Sequence, residues 1–209
     1  MNELTFNVLS IVLCGQSNCD PDYKSISASH SMCLVDVGTA VTLSQTVKNA
    51  VLQAHNGHRT AVSPTATNMQ KMAWDDELAK IATKWAQQCR SGHDTGVART
   101  AISLPNIYNG QNMAAGMSTF VGAVTAWHDE VVDYQYGVGS INGKDVGHYT
   151  QVTIQSRVGC GQADCDGTQY YICNYAIGYV LPFFQQFAFP EFLSYSRINF
   201  LGIINWKSI

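Results

Sequence analysis

The sequence is short of charge. Only 13% of its 209 residues are Asp, Glu, Lys or Arg, and the formal net charge is -3. The 12 Lys and Arg are scattered singly. No basic stripe exists to neutralise phosphates, which argues against a nucleic-acid partner. No run of 18 apolar residues occurs, so the chain offers no transmembrane segment. Asn-x-Ser/Thr is absent, which removes N-glycosylation. Cys-x-x-Cys is also absent, and the gap from Cys160 to Cys165 has no matching second pair, so a zinc ribbon is not expected. There is no Gly-x-Ser-x-Gly nucleophile elbow and no His-Glu-x-x-His zinc helix. Gly137-x-Gly139 with Gly143 misses dinucleotide-binding spacing by one residue and follows a helical pattern.

What remains is an ordinary core-forming composition, 46% hydrophobic, with seven cysteines. The odd count draws attention to Cys14. Residues 1–17 are mostly apolar from Leu4 to Leu13, and Gly15 and Ser17 stand at a small-x-small spacing, although Glu3 is the only charge before them. Read as a signal peptide cleaved after Ser17, this segment takes Cys14 with it and leaves six cysteines, enough for three bridges in an oxidising compartment; the alternative is a plain apolar N-terminus.

Residues 18–40 read as an irregular, cysteine-bearing strap. Ser44 opens a helix with Val47, Val51, Ala54, His55 and His58 on one face, ended by Ser63-Pro64. Asp75 is the expected N-cap of a second helix, with Leu78, Ile81, Ala82, Trp85 and Cys89 as its buried stripe and Ser91-Gly92 as its stop. A third helix is expected over 121–132, followed by a mobile glycine-rich loop. Strands are expected over 148–154 and 170–175, and Asp166-Gly167 reads as a hairpin turn. Helices first and paired strands last imply an α+β layering. After Gly178 the composition changes. Six of the eight Phe lie in 179–209, as either an interaction surface or a segment foreign to the domain.

Several segments in one order resemble the CAP superfamily of cysteine-rich secretory, antigen-five and pathogenesis-related class-one proteins. Gly147-His148-Tyr149-Thr150-Gln151-Val152 is similar to its first signature and Tyr170-Tyr171-Ile172-Cys173-Asn174-Tyr175 to its second. His55-Asn56 with Arg59, Trp74 with Glu77-Leu78-Ala79, Gly92-His93-Asp94, Gly110-Gln111-Asn112 and Trp127-His128-Asp129-Glu130 resemble further blocks. The likeness covers residues 19–178, with the SCP domain proper at 41–178 and 179–209 as an atypical tail.

The resemblance implies a three-layer α-β-α sandwich of helices around an antiparallel sheet. It implies pairing of Cys19 with Cys33, Cys89 with Cys165 and Cys160 with Cys173. It also implies a cleft lined by His93, Gln111, Glu130 and His148. Two imidazoles and a carboxylate suit a divalent metal such as Zn, and His93, Glu130 and His148 are the expected metal set. The same groups form an acid–base set, but Gln111 stands where many members have Glu and cannot titrate. His55 reads as a packing histidine, and His30, His58 and His128 as surface or semi-buried residues. The implied function is a secreted, extracellular binding protein, with no catalytic residue assigned. Its partner would be a sterol or lipid, a metal or an extracellular protein; for lipid, 133–145 with Tyr134 and Tyr136 is the candidate wall. The alternatives are a weak metal-dependent hydrolase or a venom allergen-like effector on host or channel targets. Departures from the family lie at Gly96, where a cysteine often stands, in Gln151-Val152-Thr153-Ile154, which lacks the Trp of the family's Gln-Val-Val-Trp, and at Tyr179.

Overall fold

A computed structural model describes residues 19–177. The expected leader at 1–17 and tail at 179–209 lie outside the described residues.

The chain begins with the strap, which carries a short helix α1 (Pro21–Ile26) and a 3-10 turn (Ser31–Cys33) where an irregular path was expected. Then follow β1 (Thr39–Val41), α2 (Gln45–Thr60), β2 (Ala73–Trp74) and α3 (Asp76–Ala86). Next come β3 (Gly110–Ala115) and α4 (Phe120–His128), the latter ending in a 3-10 turn (Asp129–Asp133). A small hairpin, β4 (Tyr134–Gln135) with β5 (Gly139–Ser140), leads to α5 (Gly147–Ile154) and to the long hairpin of β6 (Arg157–Cys165) and β7 (Thr168–Ala176).

The helix starts follow from local chemistry. The Ser44 hydroxyl accepts the Val47 N–H, Asp75 accepts from Glu77 and Leu78, and Thr119 accepts from Gly122, so each helix has one or two of its first free amides satisfied. On α3 the residues Leu78, Ile81, Ala82 and Ala86 are buried at helical spacing, while Trp85 is half-buried. The chain leaves α3 at Ala86, before the expected stop; Cys89 then takes a left-handed backbone, φ 52°.

The sheet runs β1-β6-β7-β3, antiparallel throughout that path, and β2 adds a short parallel pairing to β6. Cys165 faces Thr168 across Asp166-Gly167, whose φ values of 53° and 85° suit a two-residue hairpin turn. Alternation along β7 sends Tyr171, Cys173 and Tyr175 into a core shared with α2, α4 and α5. Ile172 and Ala176 go to the opposite face, beneath α3. The result is the three-layer α-β-α sandwich. Gly159 and Gly161 let α3 lie directly on β6: a Cβ at Gly161 would stand 2.2 Å from the Thr83 nitrogen. Gly161→Ala should therefore destabilise the fold by about 1–3 kcal/mol through overpacking. Urea denaturation reads this, and an unchanged midpoint would contradict the close approach.

Residues 148–154 correct the sequence reading. They form α5, not a strand. Thr150, Val152, Thr153 and Ile154 favour strand by local preference. Burial, however, falls on Tyr149, Val152 and Thr153, a helical spacing. Remote groups hold both ends of the helix. The Glu130 carboxylate accepts the Tyr149 N–H at 3.1 Å in the first turn. The Arg59 guanidinium donates to the Val152 and Thr153 carbonyls at 3.1 and 2.6 Å in the last. Negative charge at the start and positive charge at the end both favour the helix dipole. The third helix is likewise shorter than expected, its last turn tightening into the 3-10 segment. The glycine-rich loop contains the β4–β5 hairpin, with Gly137, Gly139 and Gly143 all at positive φ.

The three disulfides join Cys19–Cys33, Cys89–Cys165 and Cys160–Cys173. The first closes the strap, the second ties the end of α3 to β6, and the third links directly facing residues of β6 and β7.

Candidate functional site: two anchored histidines at the β3 edge

Gln111 and Asn112 are successive residues on β3, the edge strand, so they point to opposite faces of the sheet. Gln111 faces the α3 side. Its Nε2 donates to Asp94 Oδ1 at 3.0 Å and to Asn174 Oδ1 at 2.9 Å. The Asn174 amide is itself oriented, since its Nδ2 donates to the Leu78 carbonyl. With Nε2 so committed, Gln111 Oε1 can only accept, and it lies 2.8 Å from His93 Nδ1. His93 must therefore carry its proton on Nδ1. The ring is exposed, and Nε2 has no protein partner among the described residues.

The second histidine is anchored in the same way on the other face. His148 Nδ1 donates to Glu130 Oε1 at 2.6 Å, while the other carboxylate oxygen holds the Tyr149 N–H. Asn112 Nδ2 donates to the His148 carbonyl at 3.1 Å and to the Tyr175 hydroxyl at 3.2 Å. The Trp127 ring lies 6.3 Å from the His148 ring. The side chains of His148 and Glu130 are 33% and 20% exposed, so the ring reaches solvent while its anchor is mostly covered.

The four residues expected in the cleft form two hydrogen-bonded pairs, His93–Gln111 and His148–Glu130. His93, Glu130 and His148 do not form one metal-holding cluster: no group of three His, Cys, Asp or Glu suited to a metal ion occurs among the described residues. Glu130 spends both oxygens inside the protein, orienting His148 and starting α5.

Sequence reasoning missed the support behind His93. Asp94 and Arg99 form an ion pair of 2.6 Å with side chains only 2% and 6% exposed. The Ser31 hydroxyl of the strap donates to the other Asp94 oxygen. Asn109 closes the loop, its Nδ2 donating to the Arg99 carbonyl at 2.9 Å. The only signal in the sequence was Asp94 beside His93; Ser31, Arg99 and Asn109 are joined to it by the fold alone.

The other histidines are structural. His55 is fully buried between the Val51 carbonyl and the Tyr175 hydroxyl, and burial pushes its pKa down to about 4. His30 corrects the expectation of a surface or semi-buried residue. It is fully buried, bonded to the Thr100 carbonyl at 2.9 Å and the Met32 N–H at 3.2 Å, and burial lowers its pKa. His58 and His128 are half-buried as expected and stack at 3.9 Å, and burial lowers both.

The CAP family, described as the cysteine-rich secretory protein family, matches residues 52–175. That span is more than half of the chain. The chain belongs to the CAP family. It is 44% identical over 180 residues to a cysteine-rich venom protein of Conus textile, covering 82% of this chain and 58% of the relative. It is 40% identical over 147 residues to cysteine-rich secretory protein 3 of Homo sapiens, covering 66% of this chain and 58% of the relative. The CAP chain thus spans less than two thirds of the length of these relatives. Among solved structures, NaASP2 crystallised with Zn2+ matches with a TM-score of 0.52 and 27% identity, covering 64% of this chain and 80% of that one. The relatives are by name venom or secretory proteins, and three disulfides fit an oxidising, extracellular setting. No helix among the described residues is long and apolar enough to cross a membrane.

Proposed function

We propose that this CAP protein is a secreted, extracellular binding protein whose β3-edge site takes a divalent cation, Zn2+ in particular, between His93 and His148. The observation that carries the reading is the pair of Nδ1-anchored rings. Each imidazole has its Nδ1 fixed by a side-chain oxygen, which leaves Nε2 as the nitrogen available to a ligand, as in a histidine oriented for a metal. Two nitrogens suit Zn2+, with solvent or a partner's groups completing the shell. A bound cation would supply positive charge for an acidic group of a partner. His93 and His148 would bind it, and Gln111 and Glu130 would hold the rings. Val132, Val138 and Ile141, exposed around the β4–β5 hairpin, add apolar surface for an extracellular protein or lipid.

Calorimetric titration with zinc chloride tests the reading. Saturable binding is expected, and it should be lost in both His93→Ala and His148→Ala. No saturable binding, or binding that survives both changes, overturns it.

A second reading, a weak metal-dependent hydrolase, draws on one contact. His148 and Glu130 at 2.6 Å could form an acid–base pair for a water nucleophile. Activity that survives Glu130→Gln would remove it. The neutral Gln111 on the other imidazole favours binding over proton transfer.

A further inference from the structure

The strap is joined to the site by an unbroken polar chain. Ser31 sits in the 3-10 turn that ends at Cys33, inside the loop closed by the Cys19–Cys33 bridge. Its hydroxyl donates to Asp94 Oδ2, and both residues are buried. Asp94 Oδ1 takes Arg99 Nε at 2.6 Å and Gln111 Nε2 at 3.0 Å. Gln111 Oε1 then receives His93 Nδ1–H at 2.8 Å. The orientation of the Gln111 amide decides which His93 nitrogen holds the proton, and the Asp94 carboxylate helps set that orientation. The carboxylate plane in turn depends on having both oxygens engaged.

Three further contacts seat the strap. The Tyr23 hydroxyl donates to Glu77 at 2.9 Å, His30 bonds the Thr100 carbonyl at 2.9 Å, and Lys84 donates to the Leu34 carbonyl at 3.2 Å. Ser31 bonds the Asp94 oxygen that Gln111 and Arg99 do not use. Among the described residues the His148 pair makes no hydrogen bond to the strap; its anchors come from Glu130 and Asn112.

We infer that Ser31 is a positioning residue for His93: the disulfide-closed strap, through Asp94 and Gln111, locks that ring in its Nδ1–H tautomer and so keeps Nε2 open for a ligand, while His148 is set independently. The inference rests on the binding role proposed above for Nε2, but the tautomer itself can be read without any ligand.

The test is imidazole 15N NMR on the metal-free full chain, with His148 as internal control. His93 should be Nδ1–H in the unmodified protein. In Ser31→Ala the Asp94 carboxylate loses one partner, Gln111 is released to turn, and the Nε2–H form of His93 should become populated while His148 is unchanged. Cys19→Ser/Cys33→Ser, which opens the strap without touching Asp94, should shift His93 in the same direction. Zinc affinity should fall about 10-fold in Ser31→Ala, the lower end of the effect of losing a group behind a metal ligand. A His93 tautomer unchanged in both variants overturns the inference, as does an equal change at His148. Absence of zinc binding in the unmodified protein with the tautomer shift intact would instead remove the metal reading and leave the positioning role standing.

Discussion

Asp94→Ala is expected to destabilise the fold by about 3–5 kcal/mol, the scale for removing one partner of a buried ion pair. The Asp94 and Arg99 side chains are 2% and 6% exposed. Without the carboxylate, Arg99 would keep only carbonyl partners, at Asp94 and at Asn109, the latter 3.4 Å away. A guanidinium left buried in that state pays its desolvation with little return. Urea denaturation gives the number. Asp94→Leu combined with Arg99→Met should recover much of the loss, because no charge is then stranded. A cost below about 1 kcal/mol for Asp94→Ala would place the pair in the class of surface ion pairs and contradict the burial described.

Acid should loosen the fold before its carboxylates titrate. His55 is pushed from 6.5 to about 4, with burial as the main cause. His30, His58 and His128 are lowered as well, each by burial first. Below pH 6.5 the unfolded chain takes up protons that the folded chain refuses, so stability falls as pH falls. For His55 alone the loss reaches about 3 kcal/mol by pH 4, where the folded form begins to accept the proton and the dependence levels off. The carboxylates work in a lower window. Burial pushes Glu77 up, but bonds from Ser103, Ile102 and Tyr23 outweigh it, leaving a net lowered value. Asp76 is lowered first by its hydrogen bond from Lys48. Their contribution is lost only below the ordinary carboxyl range. Denaturation between pH 7 and pH 5 should therefore show stability falling with acid at up to about 1.4 kcal/mol per pH unit for each histidine involved. A flat profile over that interval would contradict neutral, buried imidazoles.

The sequence made much of this legible where chemistry is local. Asp75, Ser44 and Asp166-Gly167 act within two or three residues of themselves, and each does in the fold what its residue type suggests. The family likeness carried the disulfide pairing and the sandwich, and the structure has both. Residues 148–154 failed for a physical reason: β-branched side chains argue for strand, while the groups that stabilise the helix, Arg59 and Glu130, lie far away in sequence. The site was legible as residue types but not as wiring. Glu130 reads in the sequence as a metal-ligand type, while its oxygens in the fold accept from His148 and from the Tyr149 N–H at the start of α5. Ser31 and Arg99 carried no signal of their own, because the distances that matter to them are set by tertiary packing.

The most direct test is zinc X-ray absorption on the loaded full chain, counting imidazole ligands. Two imidazoles are expected, and the bound-zinc signal should be lost in His93→Ala and in His148→Ala. A spectrum without imidazole, or an imidazole count that neither substitution changes, would contradict the account of two anchored rings sharing one ligand.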